Sequence, residues 1–253
     1  MSLEKATAIR AMKGRQKIAV LTAYDFAMAR LIDGAKIPIV LVGDSLGMVV
    51  LGYKDTTEVT LAEMEHHVQA VARAKPGGLI VADLPFHTYE NQSQAVESSM
   101  RLVHAGAGAV KAEGGLKIIE QVKEIVAAGI PFMGHIGMLP QHVNEEGGYH
   151  IKGKTDREHE QLIADAQSLA DAGAFAMVLE LVTPPVADEI TRRIPIPTIG
   201  IGSGKHCDGQ VLVTTDLLGT SPGFIPRHAR ARLEIPELMR ATISEWKKSI
   251  ETD

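Results

Sequence analysis

The chain has 253 residues, of which 45% are hydrophobic and 23% are charged, and its formal net charge at pH 7 is −5. This length suffices for one large core, and the composition is typical of a soluble globular protein. The negative charge provides no basic field for nucleic acid or a membrane surface, so neither is expected as a partner. Cys207 is the only cysteine, and the sequence contains no signal peptide or membrane-spanning run, so we expect a cytoplasmic protein.

Eight short apolar runs alternate with amphipathic stretches along the whole chain. Several of these runs are apolar throughout, which is typical of strands that are buried on both faces of a parallel sheet. The predicted strands are Ile18–Thr22, Ile39–Val42, Leu79–Ala82, Ala109–Ala112, Pro131–Gly134, Ala176–Leu179, Thr198–Ile201 and Val211–Thr215.

Two of the intervening helices carry a clear start signal. Thr60 with Glu63, and Thr155 with Glu158, have the spacing of a capping box, and apolar residues follow each pair at helical spacing. Strands that alternate with helices indicate a parallel sheet with right-handed crossovers. The number of strands and the length favour a closed (β/α)₈ TIM barrel, typically about 250 residues long, over an open doubly wound sheet.

We expect residues 1–253 to form a single barrel domain with a C-terminal helical extension. The extension begins at Pro226, beyond the last predicted strand. Its apolar residues recur at helical spacing and could bury a stripe, for example against a neighbouring subunit. These residues are Ile235, Leu238, Ile243, Trp246 and Ile250.

Polar residues follow six consecutive predicted strands, at the point where each strand ends. In a barrel the carboxyl ends of all strands share one face, and that face holds the active site. A purely structural protein would gain nothing from acids gathered there, because clustered carboxylates repel one another and are costly to desolvate. The residues are Asp25, Asp44, Asp83, Glu113, His135 and Glu180.

Three of these acids, Asp44, Asp83 and Glu113, follow three neighbouring strands and are predicted to form a metal site. Adjacent strands lie about 4.8 Å apart, so side chains from all three can converge on one ion. Carboxylates without a cysteine cluster favour a hard cation, and Mg²⁺ commonly takes one or two carboxylates with substrate oxygens and water. The alternative is that individual acids only cap the helices that follow.

Lys111 lies two residues before Glu113, so both side chains face the same side of a strand. Lys111 could hold the carboxylate of an anionic substrate, or it could only balance the acids. Ser45 could bind a substrate oxygen with its hydroxyl, although serine at such a position often caps a helix. These two residues are therefore candidate substrate ligands.

Glu180 ends an apolar run, where desolvation would raise its pKa into the range of a general base. The alternative for Glu180 is a buried structural ion pair. His135 could bind substrate or hold a neighbouring carboxylate. The glycine-rich run Gly200–Gly204 after the seventh strand could receive an anion or could form only a tight turn.

Taken together, nine segments of the sequence resemble the ketopantoate hydroxymethyltransferase family. They occur in order over nearly the whole chain, and their combination is specific although each alone is not. The segments are Leu21–Asp25, Leu41–Met48, Ala82–Phe86, Val110–Gly115, Gly134–Gly137, Gly147–Tyr149, Val178–Glu180, Gly200–Gly202 and Asp208–Gln210.

The resemblance implies a fold and a reaction. The fold would be a (β/α)₈ barrel related to phosphoenolpyruvate mutases and isocitrate lyases. The reaction would transfer a hydroxymethyl group from the co-substrate 5,10-methylenetetrahydrofolate to 3-methyl-2-oxobutanoate, through a magnesium-stabilised enolate. It would give 2-dehydropantoate for pantothenate biosynthesis. Members of the family commonly assemble as homodecamers, so a large homo-oligomer is also implied.

The resemblance also implies roles for particular residues. Glu180 matches the proton acceptor. The positions that match the magnesium site are Asp44, Asp83 and Glu113. The positions that match substrate-binding residues are Asp44, Ser45, Asp83 and Lys111.

Four places depart from the usual family pattern: Leu139, Lys152, Ser203 and the segment Pro226–His228. None of them removes a predicted metal ligand or the proton acceptor, but they bear on folate affinity and oligomer contacts. The nearest alternative function is a phosphoenolpyruvate-mutase-like or lyase-like magnesium enzyme that acts on a related 2-oxo acid. A catalytically silent barrel that binds an anion is a further alternative, and the intact acidic set argues against it.

Overall fold

A computed structural model describes residues 2–223, 226, 229, 231–233 and 235–252. Its eight strands pair in parallel and in sequence order into a closed barrel, which confirms the predicted fold. The strands are β1 (Ile18–Thr22), β2 (Ile39–Val42), β3 (Leu79–Asp83), β4 (Ala109–Glu113), β5 (Phe132–Gly137), β6 (Ala176–Glu180), β7 (Thr198–Ile201) and β8 (Gly209–Leu212).

Helices follow most strands, and one helix precedes the barrel. The helices are α1 (Ser2–Arg10), α2 (Phe26–Gly34), α3 (Leu61–Arg73), α4 (Gln92–Ala105), α5 (Ile119–Ala127), α6 (Asp156–Asp171), α7 (Pro184–Arg193), α8 (Thr214–Leu217) and α9 (Ile235–Glu251). Both predicted capping boxes are confirmed: Thr60 and Glu63 cap α3, and Thr155 and Glu158 cap α6.

Strands β2, β3 and β4 are buried at every residue, so both of their faces are covered, whereas β1 and β8 each contain one exposed residue. In β2, Ile39 and Leu41 belong to the cluster that fills the barrel, whereas Val40 and Val42 pack in the layer between the sheet and the helices. Alternate residues of one strand therefore enter two different cores, which explains why the run contains no polar position.

Strands β1, β2 and β7 have the predicted bounds, and β5 is Phe132–Gly137 where Pro131–Gly134 was predicted. Strands β3, β4 and β6 each extend one residue further, so that Asp83, Glu113 and Glu180 belong to the strands themselves. The backbones of Asp83, Glu113 and Glu180 are therefore part of the sheet, whereas Asp44 lies in the loop after β2.

The prediction for the eighth strand, Val211–Thr215, is wrong in its bounds. The strand spans Gly209–Leu212, and Thr214 begins the short helix α8. At Gly209 a Cβ would lie 2.2 Å from the carbonyl oxygen of Ile18 in β1. Closure of the barrel thus requires glycine inside this strand, whereas in a sequence glycine usually indicates a turn or a bulge.

The chain divides into two compact units, residues 1–211 and residues 212–253. The first contains nearly all of the barrel; the second contains α8 and α9. Helix α9 buries none of its residues, and its predicted apolar stripe is exposed at Leu238, Ile243, Trp246 and Ile250. Packing of this stripe on a neighbouring subunit stays a prediction, as does the assignment of one domain to residues 1–253.

Two further observations concern predictions for particular segments. Within the departure Pro226–His228, Arg227 and His228 lie outside the described residues. Among the helices that the structure describes, none is both long enough and apolar enough to cross a membrane.

Candidate active site

Parallel pairing brings most of the predicted polar residues to one end of the barrel. The register places Asp83 beside Lys111 on β3 and β4, and Glu113 beside His135 on β4 and β5. Glu180 is paired with Gly137 of β5 at the same level of the barrel. The side chains are almost fully buried, with 2–5% of their surface exposed, at Asp44, Asp83, Lys111, Glu113 and His135.

Asp25 is an exception among the acids at the strand ends. Its carboxylate accepts a hydrogen bond from the backbone N–H of Met28 at 2.7 Å and caps α2. Asp25 is also exposed to solvent. For this residue the helix-capping alternative is correct, because its side chain satisfies a backbone N–H at the start of α2.

Asp83 connects Asp44 and Lys111. Its Oδ2 accepts a hydrogen bond from the backbone N–H of Asp44 at 3.2 Å, and its Oδ1 lies 3.1 Å from the ammonium of Lys111. Oδ1 is buried and accepts no hydrogen bond of good geometry. The ion pair is therefore the main compensation for this buried oxygen, which leaves capacity for a further cation.

Each acid of the cluster disfavours the ionised form of its neighbours. Burial, followed by repulsion from Asp83, raises the pKa of Asp44 to about 7. Burial and the charge of Asp44 raise the pKa of Glu113 well above its usual value. Burial alone would lower the pKa of Lys111, but attraction to Asp83 and Glu113 outweighs that effect and raises it. Lys111 is thus a permanent cation in a cluster that has too little positive charge.

His135 lies between Lys111 and Glu180. Its Nδ1 is 3.2 Å from the Lys111 ammonium, which can only donate, so Nδ1 accepts and the neutral ring carries its hydrogen on Nε2. Burial and the charge of Lys111 lower the pKa of His135 well below its usual value, which agrees with a neutral ring. Nε2 lies 3.3 Å from Oε2 of Glu180. His135 Nε2 nevertheless has no hydrogen-bond partner of good geometry, so its role, in binding substrate or in holding a carboxylate, stays a prediction.

Glu180 and Ser45 lie at the edge of the buried cluster. The side chain of Glu180 is 14% exposed, so the proposed proton acceptor remains accessible to a ligand. Ser45 is half-buried, and its hydroxyl lies 2.9 Å from the hydroxyl of Tyr24. This contact fixes Ser45 beside Asp44, at the opening of the mouth.

Ser203, one of the departures from the family pattern, supports the turn that follows Glu180. Its hydroxyl donates to the carbonyl of Leu179 at 2.7 Å and accepts from the backbone N–H of Val182 at 2.9 Å. Leu181, between them, has a φ of 48°, which is uncommon for a residue with a side chain. The tight turn at Gly200–Gly204 thus has a structural role, and anion binding there stays a prediction.

The other two described departures lie together in a cavity beside the mouth. The cavity has a volume of about 270 Å³, and its lining includes Leu139 and Lys152 with Gly115, Arg157 and Asp165. The ammonium of Lys152 forms an ion pair with Glu146 at 2.6 Å. Both departures therefore alter the wall of one cavity and leave the buried acids unchanged.

Sequence reasoning missed Gln141 and Tyr89, which are both buried in the cluster. Gln141 donates from its side-chain amide to Asp44 at 2.7 Å and from its backbone to Glu113 at 3.0 Å. The hydroxyl of Tyr89 donates to the amide oxygen of Gln141. Neither residue lies at a strand end. Their positions in the loops after β5 and β3 carry no periodic pattern that would have singled them out.

The chemistry of the buried acids fits a hard divalent cation. Three carboxyl groups surround a single ammonium, so a divalent ion would offset charge that burial makes costly. Among the described residues, no three acidic, histidine or cysteine side chains already form a complete ligand group. The acids would therefore supply part of a coordination sphere that substrate oxygens and water complete, as is usual for Mg²⁺.

A closed barrel with buried carboxylates, a lysine and an accessible glutamate at the carboxyl ends of its strands defines the class of (β/α)₈-barrel enzymes. A sequence model of one family within this class, ketopantoate hydroxymethyltransferase, matches residues 4–253. The chain belongs to the ketopantoate hydroxymethyltransferase family, and it is an enzyme of the hydroxymethyltransferase type.

Individual relatives agree with this membership. The 3-methyl-2-oxobutanoate hydroxymethyltransferase of Thermotoga neapolitana is 49% identical over 251 residues, which cover 99% of this chain and 92% of that relative. The protein of the same name from Caldivirga maquilingensis is 48% identical over 242 residues, which cover 94% of this chain and 90% of that relative. The similarity thus spans both proteins almost completely.

Solved structures resemble the fold at much lower identity. A 2,3-dimethylmalate lyase of the PEP mutase/isocitrate lyase superfamily has a TM-score of 0.65 at 16% identity, covering 96% of this chain and 87% of its own. A phosphoenolpyruvate phosphomutase from Streptomyces platensis subsp. rosaceus has a TM-score of 0.63 at 15% identity. The match covers 98% of this chain and 86% of the phosphomutase chain. At this identity the likeness shows a shared barrel and nothing about substrate.

Proposed function

We propose that this enzyme transfers a hydroxymethyl group from 5,10-methylenetetrahydrofolate to 3-methyl-2-oxobutanoate and forms 2-dehydropantoate, a step of pantothenate biosynthesis. The observation that carries the proposal is the buried cluster of Asp44, Asp83, Lys111 and Glu113 with Glu180 at its edge. Family membership supports the same reaction.

The proposed metal is Mg²⁺, and Asp44, Asp83 and Glu113 would hold it. Magnesium, when bound, would supply positive charge near the 2-oxo oxygen, where negative charge develops during deprotonation. Asp44, Ser45, Asp83 and Lys111 would bind the substrate. Lys111 offers a fixed positive charge that can hold the substrate carboxylate.

Glu180 is the proposed proton acceptor at the carbon next to the ketone. Its carboxylate lies 3.3 Å from Nε2 of His135 and is 14% exposed, so it sits at the edge of the buried cluster where a substrate can reach it. A well-placed base typically contributes about 10²–10⁴-fold to the rate. After the proton has left, the substrate carbon forms a bond to the methylene carbon delivered by the folate, and water supplies the oxygen of the new hydroxyl group. Both C–N bonds of that methylene carbon break, and tetrahydrofolate leaves with the substrate proton and one water proton on its two nitrogens.

A cytoplasmic location and a homodecameric assembly belong to the same proposal. The exposed apolar stripe of α9, with Leu238 and Trp246 both more than 60% exposed, supports burial against another surface. A decamer in analytical ultracentrifugation is expected, and a monomer at micromolar concentration would contradict this part.

Hydrogen exchange in D₂O tests the proposed reaction. The enzyme is incubated with 3-methyl-2-oxobutanoate and Mg²⁺, first alone and then with tetrahydrofolate and formaldehyde. We expect exchange at the carbon next to the ketone without folate, and 2-dehydropantoate with folate. Exchange without any folate-dependent product would favour a mutase-like or lyase-like enzyme. Folded, metal-loaded protein that gives neither exchange nor product would overturn the assignment.

Replacement of the proton acceptor gives a sharper prediction. In Glu180→Gln the carboxylate becomes an amide of the same shape, so exchange should fall by about 10²-fold or more. Binding of Mg²⁺ and of the 2-oxo acid, measured by calorimetry, should persist. Glu120→Gln is the matched control, because Glu120 is exposed and pairs only with Lys123. Normal exchange in Glu180→Gln would reject the assigned role.

A further inference from the structure

Gln141 makes four polar contacts that join separate parts of the site. It lies in a single 3-10 turn, Pro140–His142, after β5, and only 2% of its surface is exposed. Its amide nitrogen donates to Oδ2 of Asp44 at 2.7 Å and to the carbonyl of Leu84 at 2.9 Å. Its backbone N–H donates to Oε2 of Glu113 at 3.0 Å. Its amide oxygen accepts from the hydroxyl of Tyr89.

The partners decide which way the Gln141 amide points. The Asp44 carboxylate and the Leu84 carbonyl both accept hydrogen bonds, so the group that faces them must be the amide NH₂, which has two hydrogens to donate. The opposite orientation would set the amide oxygen against two acceptors. The Tyr89 hydroxyl donates to the remaining oxygen and holds the amide in this orientation.

The orientation of the Gln141 amide determines which oxygen of Asp44 is already hydrogen-bonded. Oδ2 of Asp44 is occupied by Gln141, whereas no described residue donates a hydrogen bond to its Oδ1. Its neighbours Asp83 and Glu180 repel its charge. Without a donor at Oδ2, this carboxylate would have no side-chain hydrogen bond to select one rotamer inside the mouth.

We propose that Gln141, oriented by Tyr89, is a positioning residue that fixes the Asp44 carboxylate with Oδ1 available to a divalent cation. The inference rests on the proposed magnesium site. Gln141 also donates from its backbone to Glu113, so one short turn after β5 contacts two acids, Asp44 in the loop after β2 and Glu113 on β4. Residues that orient metal ligands in this way typically change metal affinity by about 10–100-fold when replaced.

The test measures Mg²⁺ affinity by calorimetry without substrate, so that activity is not the only readout. Gln141→Leu removes both hydrogen bonds to Asp44 and Leu84 at similar volume, and the Kd for Mg²⁺ should rise by about 10-fold or more. Tyr89→Phe removes only the hydroxyl that orients the amide, and the Kd should rise less. In the double variant, Tyr89→Phe should add nothing to Gln141→Leu, because the amide that it orients is gone.

Gln121→Leu is the matched control. The Gln121 amide donates to the backbone carbonyls of Tyr89 and Glu90 but touches none of the buried acids. This variant loosens the same segment, and its Kd for Mg²⁺ should equal that of the wild type.

The outcomes separate the two proposals. If the wild-type protein binds no Mg²⁺, the metal site and this inference both fail. If the wild type binds Mg²⁺ and Gln141→Leu binds it equally well, only the positioning role is overturned. Should Gln141→Leu not fold, Tyr89→Phe decides: a weakened Mg²⁺ affinity supports the role, and an unchanged affinity overturns it.

Discussion

Lys111 is the buried cation that reduces the electrostatic repulsion within the acidic cluster. It is 4% exposed, forms an ion pair with Asp83, and lies near Glu113 and the ring of His135. A buried cation in this position offsets repulsion that would otherwise accompany the packing of carboxylates. Burial, and then the charge of Lys111, lower the pKa of His135 and keep its ring neutral. Stability and the chemistry of the site therefore depend on one side chain.

Replacement of Lys111 by Met should cost about 3 kcal/mol in the free energy of unfolding, because the buried acids lose their cation while the volume is retained. Urea denaturation without added metal measures this. Lys123→Met is the control, because its exposed ion pair with Glu120 should contribute less than about 1 kcal/mol. Equal effects of the two replacements would contradict the stabilising role of Lys111.

Ser203 gives a second prediction for a single residue. Ser203→Ala leaves the buried N–H of Val182 without its acceptor, so we expect a loss of about 1–3 kcal/mol in unfolding free energy. The turn after Glu180 should also loosen, which would lower kcat more than it changes KM.

Ser99→Ala is the matched control for Ser203→Ala. Both serines are buried, but the Ser99 hydroxyl donates only to the carbonyl of Ala95 in its own helix. Its loss leaves no backbone N–H without an acceptor, so the free energy of unfolding should change little. If Ser203→Ala is as stable and as active as the wild type, the hydroxyl has no role in supporting the turn.

At the scale of elements, closure of the barrel depends on a close approach of β8 to β1. The carbonyl of Ile18 lies where a Cβ on Gly209 would have to be. Strand β8 therefore starts at a residue that has no side chain. The backbone of Asp208 accepts a hydrogen bond from the N–H of Ile18 at 3.0 Å beside this contact.

Gly209→Ala should consequently destabilise the protein by more than about 1 kcal/mol, because the backbone carbonyl of Ile18 and the side chain of Ile199 would both have to move. Thermal unfolding would report a lower Tm. Gly34→Ala, at the end of α2, is the control: nothing lies within 4 Å of its Cβ position, and the change should be neutral or slightly stabilising. A Tm for Gly209→Ala equal to that of Gly34→Ala would contradict the steric account of closure.

At the scale of the whole molecule, acid sensitivity depends partly on Asp208. Burial would raise the pKa of Asp208, but hydrogen bonds from Lys13 and from the backbone of Thr198 hold it below 3.8. Asp208 also accepts from the backbone of Gly14, so it joins the segment before β1 to β7 and β8. A carboxyl with a depressed pKa stabilises the fold above its unfolded-state pKa.

That contribution should be lost as the pH falls through the lower, folded-state pKa of Asp208. Asp208→Asn removes the charge and should lower the unfolding free energy at pH 6, but it should make the curve flatter below pH 3.8. Urea denaturation from pH 6 down through the acid limb of the stability curve measures both effects. An acid limb as steep in Asp208→Asn as in the wild type would contradict the assignment.

Much of the fold and of the site could be predicted from local patterns, for identifiable reasons. Apolar runs such as Ile39–Val42 give strand bounds, because burial on both faces excludes polar residues. Asp83, Glu113 and Glu180 could be placed on one face because parallel strands end together. The same rule failed for Asp25, which caps α2, because strand position does not specify where a side chain turns.

By itself the sequence determined the alternation of strands and helices, the barrel and the gathering of acids at its mouth, because these follow from periodicity and chain direction. Only the tertiary structure decided how the site is held. Gln141 reaches Asp44 across 97 positions of sequence, and Gly209 packs against the backbone of Ile18. Such contacts depend on distances between elements that are remote in the chain, and no local pattern of residues encodes those distances.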